Sequence, residues 1–267
     1  MIAEVNGTKI NYELNGSGPT LVFIHGIGMS LRQWDEQVKH FSSSFQCLTV
    51  DLRGHGLSSP GKITMENFAI DILALLDFLA ITKAHFIGFS LGGMVVQEIF
   101  RKQRGRFLSM VLSSTACLTA IPERELLLAE TLKFVDANTM EVIGPIIASK
   151  CCHPEYLCQN PPAYQDFVRM LQQHNKEIYR ETLVETAYLD YLELLTEVEV
   201  PVLILVGDLD QVCPLSCSQL IARLIPEARL QVFPQTGHLA PLERTKEYNQ
   251  VLSEFLATGE KKATVSS

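Results

Sequence analysis

A chain of 267 residues, 47% hydrophobic and 19% charged, is long enough for one domain carrying an insertion and apolar enough to bury a sizeable core. Its net charge of -8 leaves no basic face of the kind a nucleic-acid partner requires. No apolar run approaches the ~20 residues that span a bilayer, no basic amphipathic stretch suits a membrane surface, and the start from Met1 to Gly7 lacks the features of a signal peptide, so a soluble cytoplasmic protein is expected.

The first predicted elements are two strands, Ile2 to Val5 and Lys9 to Leu14, separated by the hairpin signal Asn6-Gly7. Thr20 to Ile24 is a continuous apolar run, as expected of a strand buried on both faces, and Cys47 to Val50, His85 to Ile87 and Met110 to Leu112 repeat the pattern. Between them, Met65 to Leu79 has apolar residues at helical spacing, and a second helix runs over Met94 to Phe100.

The alternation stops near Cys117. From there to Glu199 the sequence reads as helices (Glu123 to Val135, Met140 to Ser149, Tyr164 to Gln173, Glu177 to Leu189) without a convincing buried strand. Strands resume with Val202 to Val206 and Leu230 to Phe233, and Tyr248 to Phe255 makes a final amphipathic helix. The fold class is therefore α/β: a mostly parallel central sheet with helices on both faces, the N-terminal strands forming its antiparallel edge. The core spans 1–116 and 200–258, residues 117–199 form a helical lid over the C-terminal edge of the sheet, and 259–267 form a flexible tail. A lid is preferred to a separate helical domain because the chain returns directly to the same sheet.

Gly88-Phe89-Ser90-Leu91-Gly92 joins a strand to a helix. A serine on so sharp a turn sits in strained backbone with its hydroxyl exposed, and glycines two residues to either side avoid a clash. Such a nucleophile needs a base, and the base an orienting acid, in the chain order serine, acid, histidine. Of the histidines after Ser90, His153 and His174 fall in the helical stretch, before any acid at the end of a later strand. His238, in Gly237-His238-Leu239, follows the last strand and is the expected base. The acid lies in Gly207-Asp208-Leu209-Asp210. The turn closed by Pro214 favours Asp210, with Asp208 bonding backbone inside the turn. The preceding strand ends in Ser113-Ser114-Thr115 and offers no carboxylate. Oxyanion donors are expected from the backbone amides of Ile27, in His25-Gly26-Ile27-Gly28, and of Leu91. His25 is expected to hold its loop rather than to titrate in catalysis.

The segments His25-Gly26-x-Gly28, Asp51 to Gly56, Gly88-x-Ser90-x-Gly92, Gly207-x-x-Asp210-x-x-x-Pro214 and Gly237-His238, in this order, resemble the α/β-hydrolase superfamily over nearly all the chain outside the helical stretch. Within it, the segments from His25 to Trp34 and from Gly237 to Glu243 look most like the group of 3-oxoadipate enol-lactonases, small carboxylesterases and cofactor-free haloperoxidases. Ser90 departs from the dehalogenases and epoxide hydrolases, which use an aspartate nucleophile. The resemblance implies a structural turn for the loop holding His55, and a small-molecule carboxylic ester or lactone, cleaved through an acyl-enzyme on Ser90, as substrate. No cofactor is implied, and oligomeric state stays open.

Trp34 and Phe89 either line the acyl pocket or belong to the core. Lys133, Lys150, Arg169, Lys176 and Arg180 are candidates for binding a substrate carboxylate, with solvated surface as the simpler role. The cluster Cys151, Cys152, His153 and Cys158 matches no usual zinc spacing, so no metal is expected and the thiols are read as free. Two alternatives remain: a ligand receptor with slow turnover, and an acyltransferase or perhydrolase in which an alcohol or peroxide replaces water.

Overall fold

Strands β1 (Ile2–Val5) and β2 (Thr8–Asn15) meet at Asn6 and Gly7, whose φ angles of 47° and 67° make a two-residue turn that twists with the strands. The computed structural model describes residues 1–159 and 161–263. Six further strands follow: β3 (Thr20–Ile24), β4 (Gln46–Val50), β5 (Ala84–Phe89), β6 (Phe107–Ser113), β7 (Val202–Gly207) and β8 (Arg229–Phe233). They form one sheet in the order β1-β2-β4-β3-β5-β6-β7-β8. The β1–β2 and β2–β4 pairs are antiparallel and every other pair is parallel, as the sequence predicts.

The continuous apolar runs are explained by two cores, one on each face. Val22, Ile24, Phe86, Met110, Leu112 and Ile204 point into one cluster. Their alternates Leu21, Phe23, Ile87, Val111, Leu203 and Leu205 point into the other. With a side-chain period of two and both faces covered, polar alternation disappears. Each fully buried Leu, Ile or Phe contributes about 1.5–3 kcal/mol relative to exposure.

Helices α1 (Asp35–Phe41), α2 (Met65–Phe78) and α3 (Leu91–Lys102) cover the first half of the sheet. Thr64 caps α2, its hydroxyl accepting from the Asn67 N–H at 3.0 Å. The 71-to-53 pairing ties α2 to the loop after β4: Arg53 donates two bonds to buried Asp71, at 2.9 and 2.7 Å.

Between β6 and β7 the chain runs through α4 (Pro122–Ala137), α5 (Met140–Cys151), α6 (Pro154–Gln159), α7 (Pro161–Gln172), α8 (Lys176–Glu185) and α9 (Leu192–Thr196). A neck closes this insertion: Leu118 bridges Asp190, and the Thr119 N–H donates to the Leu189 carbonyl at 2.9 Å. The neck joins residues 118–119 to 189–190, so α9, which the sequence reading places within 117–199, follows it. Helices α10 (Leu215–Leu224), α11 (Ala240–Glu243) and α12 (Thr245–Ala263) complete the chain. The tail expected over 259–267 overlaps the end of α12 and otherwise lies outside the described residues. Among the described residues no helix is long and apolar enough to cross a membrane.

From β3 the chain crosses to β4 on one side, and from β5 to β6 on the other. The loops leaving β3 and β5 therefore diverge, opening a crevice at their carboxyl ends where open α/β sheets bind ligands.

Candidate active site

Ser90 occupies the turn from β5 to α3 at φ 52°, ψ -114°, a backbone state that costs a non-glycine residue about 1–3 kcal/mol. The surrounding structure over-determines it. The Ser90 N–H donates to the Ser113 carbonyl at 2.9 Å, and the Ser90 carbonyl accepts from the Thr115 hydroxyl at 2.7 Å. Its flanking glycines are required by space: a Cβ on Gly88 would lie 2.3 Å from the Gly92 carbonyl oxygen, and one on Gly92 would lie 2.1 Å from that of Ile24.

Asp210 and His238 follow β7 and β8, adjacent strands, and are buried together. His238 Nδ1 is 2.8 Å from Asp210 Oδ2. The other carboxylate oxygen accepts from the N–H groups of Val212 and Cys213, each at 2.8 Å, which fixes its orientation. Asp208 instead accepts from the Thr236 N–H at 3.2 Å, within the loops at the sheet edge. Phe89, next to Ser90, has its ring centroid 4.8 Å from that of His238, bringing the serine turn and the histidine loop side by side.

Leu91 opens α3, and Ile27 sits between Gly26 and Gly28 in the loop after β3. Among the described residues neither amide donates to another protein group. Gln33 braces this loop, its Oε1 accepting from the Gly26 N–H at 3.0 Å.

His25 holds the same loop from beneath. Its Nε2 accepts from the Leu52 N–H at 3.0 Å, so Nδ1 carries the proton and donates to the Gly26 carbonyl at 2.7 Å. Burial lowers its pKa to about 4. His55 is equally buried, lowered to about 3 by burial, and its ring centroid lies 4.4 Å from that of His174 on the insertion, the two planes tilted by 37°. His174 is lowered to about 3, again chiefly by burial. Asp51, in the same loop as His55, is wholly engaged by backbone and Asn11 donors.

Trp34 is fully buried, its ring 5.1 Å from Phe23 in the core. Phe89 is also fully buried and packs under Gly26, where a Cβ would meet its ring at 2.9 Å. The insertion closes over the loop after β3 with apolar groups: a Cβ on Gly28 would meet Leu171 at 2.8 Å and the Tyr179 ring at 3.6 Å. Lys133 and Lys150 are exposed, Arg169 pairs with Asp166, and Arg180 with Asp136. Lys176 donates to the carbonyls of Asp136 and Asn138. Among the described residues none of these cations contacts Ser90, Asp210 or His238. Cys151 and Cys152 are buried and Cys158 is exposed; burial pushes the Cys151 thiol up to about 12. Among the described residues no group of His, Cys, Asp or Glu forms a metal-holding cluster.

Three contributors escaped sequence reasoning: Gln33, Glu243 and the Cys151 carbonyl, which accepts from the His238 and Leu239 N–H groups at 2.7 and 3.1 Å. Gln33 and Glu243 lie inside the segments carrying the family resemblance, which is the signal that marks them. The Cys151 carbonyl has none.

The family model described as alpha/beta hydrolase fold matches residues 19–245. The 3-oxoadipate enol-lactonase 1 of Acinetobacter baylyi is 26% identical, over 96% of both chains. A thermophilic esterase from Thermogutta terrifontis superposes with a TM-score of 0.90 at 25% identity, covering 97% of this chain and 98% of that one. The enol-lactonase from Burkholderia xenovorans LB400 gives 0.89 at 25% identity, covering 96% of this chain and all of the other.

Proposed function

The chain belongs to the α/β-hydrolase fold family, and from that premise we propose that it hydrolyses carboxylic esters or lactones through an acyl-enzyme on Ser90. Relatives named as enol-lactonase and esterase support action on ester bonds. The observation that carries the mechanism is the buried His238–Asp210 pair at 2.8 Å beside a serine held at positive φ.

With Nδ1 engaged by Asp210, His238 presents Nε2 as the base. Nε2 takes the Ser90 proton as Oγ bonds to the substrate carbonyl carbon, and the resulting oxyanion accepts from the amides of Ile27 and Leu91. The tetrahedral intermediate collapses, the C–O bond to the alkoxide breaks, and His238 returns the proton to the leaving oxygen. In a lactone that oxygen stays tethered to the acyl group. Water then repeats the sequence on the acyl-enzyme, releasing the acid.

The insertion acts as the lid. Leu171 and Tyr179 over the oxyanion loop, with the cations directed elsewhere, support an uncharged, largely apolar acyl group. A cleft of about 380 Å³ beside this loop is lined by the apolar Met29, Phe167, Met170 and Leu239, with Arg32, Asp35 and Asp166 also on its wall.

The test is a progress curve on short-chain activated esters in excess over enzyme, with mass spectrometry of Ser90. Multiple turnover with a transient acyl adduct on Ser90 is expected. A single burst followed by a stable adduct would replace the enzyme reading with the receptor.

A further inference from the structure

The loop bearing His238 is fastened to the insertion as well as to the sheet. The Cys151 carbonyl, at the end of α5, receives the backbone N–H groups of His238 and Leu239 at 2.7 and 3.1 Å. From the other side Glu243, in α11, accepts at Oε2 from the Gly237 N–H at 3.2 Å and from the His153 N–H at 2.9 Å. One carboxylate thus joins the residue before the base to the second residue past the end of α5. Among the described residues its Oε1 is buried without a hydrogen-bond partner. A Cβ on Gly237 would lie 2.8 Å from the Cys151 carbonyl oxygen and 3.0 Å from Glu243 Oε1, so only glycine fits between the two anchors.

A carboxylate suits this place because it only accepts, and its bonds to N–H groups are charge-assisted. Burial raises the Glu243 pKa, and the backbone donors of His153 and Gly237 oppose that rise.

Resting on the acyl-enzyme reading above, we propose that Glu243 is a positioning residue that clamps the His238 loop to the inner edge of the lid, so that the base faces Ser90 only while that edge is seated. Lid movement at α5 and orientation of His238 are then one event.

The experiment compares wild type with Glu243→Gln, Glu243→Ala, His153→Ala and His153→Pro, reading kcat and KM on a short-chain ester and the low-field proton resonance of His238 Nδ1. The resonance needs no turnover. Glu243→Ala is expected to lower kcat about 10- to 100-fold with KM within about threefold, and to broaden the resonance. Glu243→Gln keeps an acceptor oxygen and should recover kcat to within about fivefold of wild type. Both His153 variants lose the imidazole that accepts from the Glu155 N–H, and His153→Pro loses the lid's N–H as well; the extended backbone of Cys152 (φ -119°, ψ 151°) suits the residue before a proline. It should fall about fivefold below His153→Ala in kcat.

The clamp is overturned if Glu243→Ala keeps kcat within about twofold, if Gln rescues no better than Ala, or if the resonance is unchanged. Should Glu243→Ala not fold, equal kcat in the two His153 variants overturns it. Repeating the resonance measurement in a Ser90→Ala background separates this outcome from failure of the acyl-enzyme reading, which only the activity of Ser90→Ala decides.

Discussion

The serine turn and the helical insertion face the same crevice but are built under opposite constraints. Around Ser90, backbone touches backbone: Gly92 lies against the Ile24 carbonyl and Gly88 against that of Gly92, so a single methyl has nowhere to go. In the insertion, side chains touch side chains, and much of the apolar surface stays in solvent, with Leu126 67% and Leu127 53% exposed on α4. A strained nucleophile has to be over-determined by its surroundings. Side chains of the insertion that face solvent have room to change, and substitutions at such places usually move stability within about 0.5 kcal/mol. The contrast predicts steep responses to substitution at the floor of the site and shallow ones at its roof.

The largest effect is expected at the floor. Ser90→Ala and His238→Ala should each lower kcat/KM on an activated ester by more than about 10⁴ while circular dichroism and Tm stay near wild type, because triad members act as a unit. Retention of more than about a tenth of wild-type activity in Ser90→Ala would falsify the assignment.

Next come the two acids of one turn. Asp210→Asn should lose about 10³–10⁴ in kcat, since His238 loses its orienting charge, whereas Asp208→Asn, whose partner is the Thr236 N–H, should lose less than about tenfold. A reversed order would show that the wrong carboxylate orients the base.

Stability sharpens the comparison directly. Gly92→Ala must move the Ile24 backbone and should cost more than about 3 kcal/mol in urea unfolding, or prevent folding. Gly144→Ala, in α5 of the insertion, meets the Gln172 Cγ at 3.0 Å, the Gln172 backbone nitrogen at 3.2 Å and the Leu171 Cβ at 3.3 Å, contacts that need a shift of only a few tenths of an ångström, and it gains about 1 kcal/mol of helix propensity, so it should cost far less than Gly92→Ala. Equal costs would erase the distinction between floor and roof.

A smaller effect comes from pH. Burial holds His25 near 4 and His55 and His174 near 3, below their ordinary value of 6.5. Between about 6.5 and 4 the unfolded chain binds protons that the folded chain refuses, so stability falls as pH drops through that window. Each such histidine contributes up to about 1.4 kcal/mol per pH unit. His174→Gln should flatten the dependence by one such share, measured by urea unfolding at successive pH values. An unchanged slope would mean that His174 is protonated in the folded lid.

The smallest effects belong to the cations of the insertion. Lys133→Ala, Lys150→Ala and Arg169→Ala should leave KM for neutral esters within about twofold, consistent with solvated or surface-paired side chains. A tenfold rise in KM for one of them would bring that cation into the substrate site.

The amino-acid order by itself determined the eight strands, the parallel sheet with its antiparallel edge, and the turn around Ser90. These rest on local rules. Burial on both faces makes a strand uniformly apolar, and steric contact two residues away makes glycine obligatory at Gly88 and Gly92. The candidate triad was legible because its order along the chain follows the order of the strands. Several short helices were not read, α1, α6 and α10 among them, since so few turns carry little periodicity. The turn closed by Pro214 already favours Asp210 over Asp208, but only the tertiary structure supplied their partners, His238 Nδ1 for Asp210 and the Thr236 N–H for Asp208. It also decided that Trp34 packs into the core on Phe23, that the His174 ring lies over that of His55, and that the Cys151 carbonyl and Glu243 hold the His238 loop. The physical reason is common to all of these. A backbone carbonyl looks the same at every position in the chain, and a contact between distant segments depends on where the sheet brings them rather than on residue type.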